Sequence, residues 1–599
     1  MTTPAATIAA EPNTPLAEVP RGEGHRNDIQ ALRALAVASV VLFHLWPTLV
    51  PGGYVGVDVF FVISGFLITS HLVREIEVTG TIRFAAFWAR RAKRLLPAGL
   101  LVLLVTALAT ILLVPTGRWG AYLNEVIAST WYVENWSLAT KAVDYLAADA
   151  PPSPAQQFWS LSVEEQFYFG LPLLLVSASL LARRPRANGR RSLVLTLSVI
   201  TAASFVYGIW LTYITPPSAY FSTFGRAWEF GVGALVAFIP GIPTGRARRV
   251  LAWAGIAGVI VACWRFSPSI AFPGYAAALP VLATALVLLA HDADRRGSVG
   301  HMGSLALPSF LGRSSYSVYL CHWPLLVLVP VVTGVPLDLS TKLLVVVGTL
   351  MVAFALTRYV EEPVRFKPSL LGGSRSPRVV GAVSLLGMIL VTAVAWGALT
   401  MNTARAHVLA ASTASIVASQ PDCFGAAARA PRPVGCPNPS LVGLLVPDPS
   451  IAAKDDSNRA ACWSGTNDSD LRVCSVGPSA GFTRHLFAVG DSHSNMLLAA
   501  YEAIARERNW RIDVAGHNGC YWTSAHQVKP TSEATTACST WISELQHYLQ
   551  SHDDYDAVLT TYGYSRNSVV AAEGESVEAA TVSGLQDAWR EVLDRKSVV

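Results

Sequence analysis

Residues 26–66 read RNDIQALRALAVASVVLFHLWPTLVPGGYVGVDVFFVISGF. The run is apolar enough to cross a bilayer, yet Arg33, His44 and Asp58 lie inside it. Ionisable side chains in lipid are costly, so they face a bundle interior or a wet cavity and mark a functional path. Arg33 and His44 are eleven positions apart. At about 3.6 residues per turn this is close to three turns, which sets both on one helix face roughly 16 Å apart along the axis. A fixed cation at one end and a titratable imidazole farther along suit an anionic ligand whose reactive end reaches the histidine. The plainer alternative has Arg33 snorkelling to the headgroups and His44 bonding a neighbouring helix.

The rest of the chain has the same character. Its 599 residues are 52% hydrophobic and 14% charged, where soluble proteins carry about 25% charged residues. Mean hydropathy is +0.41. This is the composition of a polytopic membrane protein. The net charge of +5 is small and forms no nucleic-acid stripe. Residues 1–30 are polar, lack an apolar signal core, and read as a disordered cytoplasmic tail.

Apolar segments able to span fall at 31–50, 55–73, 95–115, 160–182, 192–213, 225–240, 249–266, 275–291, 308–333, 341–360 and 379–400, with 225–240 marginal in length. With the N-terminus inside, every inner loop carries Arg or Lys. The outer loops carry none, except Arg118 and Lys141 in the long 116–159 loop. That asymmetry sets the orientation. An odd number of spans then exports residues 401–599, beginning with an Ala/Ser-rich linker to about 420. Six of the eight cysteines lie in this part (Cys423, Cys436, Cys462, Cys474, Cys520, Cys538) and suggest disulfides, with neighbour pairing preferred among fifteen possibilities. No tight CxxC points to a metal, and no metal site is expected.

Four further stretches carry chemistry. Residues 83–97, RFAAFWARRAKRLLP, place Arg90, Arg91 and Arg94 at the inner face. The plain reading is positive-inside anchoring; the sharper one is a phosphate site, since guanidinium forks match phosphate oxygens. Residues 158–168, FWSLSVEEQFY, open a span with the adjacent carboxylates Glu164 and Glu165. The helix dipole accounts for one of them. Neighbours on a helix point in different directions, so the two do different jobs. Arg226 and Glu229 are three apart and form a local ion pair. Residues 315–324, SYSVYLCHWP, add Tyr316 and an in-span His322, read as cavity lining.

Together, Arg33-x10-His44, the stretch 56–68 (GVDVFFVISGFLI), the Arg-rich run, FWSLSVEEQFY and SYSVYLCHWP resemble, in order, the motifs of acyltransferase family 3. That resemblance implies a multi-pass membrane protein that O-acylates cell-surface glycans. It implies an acyl-coenzyme A donor, with acetyl the expected group, held on the cytoplasmic side by Arg33, Arg90, Arg91 and Arg94, and no bound cofactor. His44 would act as general base or carry the acyl group. Asp58 or a motif glutamate would hold its tautomer; Glu164 or Glu165 would pair with His44 or orient the acceptor hydroxyl. Arg226, Glu229, Tyr316 and His322 would line the cavity. A proton-coupled transporter is the rival class; an exported esterase or glycan-binding domain on a membrane anchor is a third.

Residues 483–495 read TRHLFAVGDSHSN, a short strand running into Gly490, Asp491 and Ser492, with an amphipathic helix following at 496–507. A serine on a turn before a helix is a nucleophile facing backbone N–H groups that stabilise an oxyanion. Residues 555–562 read as a later strand. The stretch resembles the first block of SGNH hydrolase-like domains, with Asn518 as candidate oxyanion donor. Those domains take their Asp and His from a late Asp-x-x-His, and none follows Ser492. The domain is therefore expected to be truncated, or to lack its acid–base pair; His493, His517, His547 and His552 are poorly spaced substitutes.

The expected fold is an all-α polytopic membrane bundle of about eleven transmembrane helices followed by an extracytoplasmic α/β SGNH-like domain. The divisions are a tail at 1–30, a ten-span acyltransferase unit at 31–360, a loop, eleventh span and linker at 361–420, and the SGNH-like domain at 421–599.

Overall fold

In the computed structural model the chain is helical to residue 419 and mixed α/β from residue 460. The structure describes residues 26–142, 151–182, 186–240, 245–267, 270–291, 296–366, 376–419, 421–424, 438–442, 445, 447–448, 452, 460–529, 531–563, 569–593 and 597–598. The expected tail up to residue 25 and Cys436 lie outside them. Residues 27–30 do not belong to a tail. They open the first helix, where Arg26 donates to Asp28 at 2.7 Å.

Each of the eleven apolar segments carries a helix. In chain order the helices are α1 (Asn27–Leu45), α2 (Gly56–Thr79), α3 (Phe84–Leu113), α4 (Trp119–Thr130), α5 (Glu134–Lys141), α6 (Phe158–Ala182), α7 (Arg186–Ile214), α8 (Pro216–Phe221), α9 (Thr223–Val236), α10 (Arg246–Arg265), α11 (Ala278–Ala290), α12 (Val299–Ser304), α13 (Ala306–Arg313), α14 (Ser315–Thr333), α15 (Leu339–Leu356), α16 (Glu362–Phe366) and α17 (Pro377–Ser419). Among the described residues eight helices are long and apolar enough to cross a membrane, and α11 is a shorter apolar helix.

Three expectations are corrected. The segment 308–333 is two helices, broken between Arg313 and Ser315. The 116–159 loop holds α4 and α5, whose buried Trp119, Tyr122, Leu123 and Leu138 pack into the bundle. The linker at 401–419 is helical: it continues α17 to 43 residues, roughly 65 Å at 1.5 Å per residue. Alanine supplies the reason, being the strongest helix former.

The bundle closes where α2 meets α9. A Cβ on Gly65 would lie 2.0 Å from the Phe230 carbonyl oxygen, and one on Gly233 would lie 2.0 Å from that of Val62. Only glycine lets the two backbones approach this closely, the usual role of small residues between membrane helices. Beside this contact Arg226 donates to Asp58 at 2.7 Å and to Glu229 at 2.8 Å, and all three side chains are 0% exposed. The rings of Phe61, Trp159, Tyr220 and Phe272 surround its guanidinium at 5.1–5.8 Å. The local pair expected from sequence is present, and Asp58 joins it from across the interface.

The second region is a six-stranded sheet of β1 (Trp463–Ser464), β2 (Cys474–Val476), β3 (Arg484–Gly490), β4 (Trp510–His517), β5 (Ala557–Thr561) and β6 (Ser597–Val598). The order is β1-β4-β3-β5-β6, all parallel, with β2 antiparallel to β4. Helices α18 (Ser492–Asn495), α19 (Leu498–Arg508), α20 (Ser532–Ser551) and α21 (Val577–Leu593) complete it. Cys462–Cys474 and Cys520–Cys538 are disulfides, both neighbour pairs, and Cys423 is disulfide-bonded too. Cys263 and Cys321 are free and buried.

Within β4, burial pushes the Asp513 carboxyl up, but hydrogen bonds from Ser475, Tyr555, Arg511 and His485 outweigh it and hold it below the ordinary carboxylate value.

Two predictions follow from these buried charges. Arg226→Met strands two carboxylates in the core and lowers stability by about 3–5 kcal/mol; thermal unfolding in detergent at the wild-type midpoint would contradict this. The contribution of Asp513 is complete above roughly pH 5 and lost as pH falls below about 4, because the folded group holds its charge more tightly than the unfolded one. Hydrogen exchange of the full chain tests it: Asp513→Asn weakens protection of β4 at pH 7, and the difference from wild type shrinks toward pH 3. A constant difference would rule the linkage out.

Candidate active site

Helix α1 carries both Arg33 and His44, and the two line adjoining cavities. The central one is walled by Arg33, Ser64, Arg91, Arg94, Glu164, Tyr168 and Tyr316, among others. Arg91 and Arg94 also line a basic mouth with His71, Lys93 and Arg365. Val57 and Tyr319 are shared between the central cavity and a third one, which contains His44. The three therefore form a row, arginines at one end and the imidazole at the other.

At the basic end the arginines differ. Arg90 is drawn to the rim, 3.0 Å from the His71 ring nitrogen and 3.3 Å from Glu75. Arg91 lies 4.8 Å above the Tyr168 ring. Arg33 and Arg94 act on each other electrostatically, with Glu164 and Glu361 as the nearest opposing charges. Among the described residues neither forms an ion pair or a side-chain hydrogen bond. Two unpaired guanidiniums repel each other, and an anion between them removes the repulsion.

At the other end the His44 Nδ1 lies 3.0 Å from the Nε2 of His322, with the rings within 11° of parallel. The Nδ1 of His322 is 2.7 Å from the Tyr319 carbonyl oxygen, which only accepts. That nitrogen therefore carries the proton, and in the neutral ring its Nε2 has a lone pair. His44 must donate through Nδ1–H, which leaves its own Nε2 as the basic atom. Trp323 packs 4.5 Å from the same ring.

His322, expected as cavity lining, is not among the residues that line the three cavities and instead bonds His44. It orients His44, a role assigned from sequence to Asp58 or a motif glutamate. Asp58 is instead locked in the Arg226 cluster, outside all three cavities. Arg226 and Glu229 likewise stand behind the wall. Glu164 accepts from Ser64 at 2.5 Å and from the Tyr168 hydroxyl. Glu165 points elsewhere, with a buried oxygen that has no hydrogen-bond partner among the described residues. Neither bonds His44. Tyr316 lines the central cavity and donates to the Leu95 carbonyl at 2.8 Å. The His44–His322 pairing joins residues 278 apart, and no local pattern announces such a pair.

In the second region the register pairs Gly490 with Gly516, so Asp491–Ser492 follow β3 beside His517, the last residue of β4, and Asn518. β3 has β4 on one flank and β5 on the other, so Ser492 sits at a topological switch point, where ligands of open α/β sheets bind. Asp491 accepts from the backbone N–H of His493 at 2.9 Å and of Gly563 at 2.7 Å. Asn518 spends an amide hydrogen on Thr466 at 3.1 Å. His493 pairs with Asp491, His517 with two backbone carbonyls, and His552 with Tyr548 and Ser551; His547 lines a separate groove. None of the four bonds Ser492. Sequence reading passed over Lys529, which donates to Gln527 at 2.9 Å and whose amine burial lowers to about 8, against the pull of Asp491.

Comparison with known proteins bears on the family. The acyltransferase domain model matches residues 26–358, more than half of the sequence. The chain belongs to the acyltransferase-3 family. Residues 459–598 match the SGNH domain found fused to such units. The chain is 30% identical over 361 residues to the peptidoglycan O-acetyltransferase OatA of Listeria monocytogenes, covering 56% of this chain and 55% of that one. It is 30% identical over 357 residues to a putative peptidoglycan O-acetyltransferase of Bacillus subtilis (56% and 54%). A putative O-acetyltransferase of Staphylococcus aureus is 36% identical over 211 residues (35% and 34%). The chain spans about half the length of the first two relatives. No solved structure matches it.

His322 is expected to act through His44. In an assay of acyl transfer, His322→Leu lowers turnover about tenfold or more, a barrier increase of roughly 1.4 kcal/mol. His322→Gln, which keeps an acceptor oxygen, recovers most of it, and the pH–rate profile moves in the leucine variant only. Equal loss in both variants with an unmoved profile means that His322 merely packs.

Proposed function

We propose that this protein is a membrane O-acyltransferase that moves an acyl group, acetyl by analogy with the relatives' names, from acyl-coenzyme A to a hydroxyl of a cell-wall glycan. The row of cavities from Arg91 and Arg94 past Arg33 to His44 carries this reading. Arg91, Arg94 and Arg33 would hold the coenzyme's phosphates, with Arg90 at the rim. The pantetheine arm would run through the central cavity and present the thioester to His44. The acceptor hydroxyl would enter from the other end.

The chemistry uses the free Nε2 of His44. It takes the hydroxyl proton as the oxygen attacks the thioester carbonyl. The tetrahedral intermediate expels the coenzyme thiolate, which recovers the proton, leaving an ester and free coenzyme A. His322 disperses the transient charge through the Nδ1–H bond. Alternatively Nε2 attacks first and carries the acyl group to the acceptor; the same geometry serves both. Ser492 offers a second acyl-accepting site beyond the bundle. The positive inner loops favour an N-terminus and donor site in the cytoplasm, about eleven spans in the cytoplasmic membrane, and an extracytoplasmic C-terminal domain. The divisions 31–360, 361–420 and 421–599 keep their proposed roles. The transporter and anchored-esterase readings draw no support from the family match.

The test is coenzyme A release by purified protein supplied with acetyl-coenzyme A. His44→Ala is expected to lose about 10²–10⁴-fold. Wild-type rates in that variant would overturn the proposal.

A further inference from the structure

The His44 cavity has a second chemical character. Immediately before α6, Gln157 is 3% exposed and donates through Nε2 to the Leu320 carbonyl at 3.2 Å. That bond settles which way the amide faces: the nitrogen is tied to α14 and the oxygen is left over. The Gln157 Oε1 is buried and has no hydrogen-bond partner among the described residues, and the same holds for Oε1 of neighbouring Gln156. Both side chains line the cavity that contains His44. A buried carbonyl oxygen without a donor costs about 1–3 kcal/mol, so such groups call for an explanation. The rings of Trp159, Tyr220 and Trp323 form the apolar walls. Flat apolar faces beside lone acceptors suit a molecule with apolar C–H faces and a rim of O–H and N–H donors.

A sugar ring has that chemistry. An acyl chain has no donors, and a phosphate brings only further acceptors when ionised. The arrangement also shares its scaffold with the base. His322 and Leu320 sit within one turn of α14, the first orienting His44 and the second Gln157. The His44 ring and the Gln157 amide are therefore set by a single element.

Resting on the transferase reading, we propose that Gln156 and Gln157 form the acceptor subsite, their carbonyl oxygens accepting from hydroxyl or acetamido N–H groups of the glycan, with Trp159 and Trp323 as its walls. The orientation follows: the ring is held by groups flanking the reacting hydroxyl, and that hydroxyl faces Nε2 of His44. The expected ligand is a neutral, N-acetylated saccharide.

The experiment uses the full chain in detergent, acetyl-coenzyme A as donor and a soluble oligosaccharide of N-acetylglucosamine as acceptor, with ester formation and free coenzyme A both measured. Gln157→Leu and Gln156→Leu are compared with wild type, and thermal midpoints establish that each variant is folded. The expected result is an acceptor KM raised about tenfold in Gln157→Leu, equivalent to roughly 1.4 kcal/mol, and raised less in Gln156→Leu. The KM for acetyl-coenzyme A moves by less than twofold in both. An unchanged acceptor KM in both variants, or donor and acceptor constants rising together, overturns the subsite and leaves the transferase reading standing. Wild-type protein that releases no coenzyme A and forms no ester overturns that reading and the subsite with it.

Discussion

Arg226 holds a full positive charge where water does not reach, and two carboxylates close around it. Every other arrangement in the bundle is compatible with this one. Removing a guanidinium from water costs several kcal/mol, recovered only if its donors are all used and its partners sit close. Asp58 and Glu229 meet that demand from α2 and α9, and four aromatic rings supply cation–π contact around them. The cluster works only if the two backbones approach closely, which Gly65 and Gly233 permit. Register between these helices is thereby specified. A slide of one turn would strand three charges.

That lock explains why the neighbouring cavities can stay polar without collapsing. α1 presents Arg33 and His44 along one face, and α14 supplies the fixed partners: His322 for the imidazole, the Leu320 carbonyl for Gln157, and the Tyr319 hydroxyl for Ser160 at 2.7 Å. Trp323 donates to the Ser153 carbonyl at 2.8 Å, tying the same helix to the segment before α6. The His44 ring is thus positioned without a carboxylate bonded to it. A histidine that accepts from Nδ1–H does the orienting, and in a low-dielectric interior a neutral partner avoids the desolvation cost of a second ion. Charge is concentrated instead at the arginine end.

The C-terminal region follows a different logic. Its parallel sheet brings two loops to one edge because Gly490 and Gly516 are in register. Ser492 reaches that edge with Asp491 already committed to the turn. Among the described residues no histidine bonds the Ser492 hydroxyl.

Much of this was legible from residue types alone. The eleven apolar segments, the shared face of Arg33 and His44, the Arg226–Glu229 pair, the strands around residues 485–489 and 555–562 and the neighbour disulfides all rest on local spacing, and local spacing is what a sequence displays. The helix beyond residue 400 is also legible in its alanines, although the apolar run that marks the span ends there. Tertiary structure alone decided that Asp58 belongs to Arg226, that His322 bonds His44, and that Gln157 ties its amide nitrogen to the Leu320 carbonyl. Each of those depends on which helices meet and at what rotation. Periodicity sets the face a side chain occupies; only packing chooses the group on the other side.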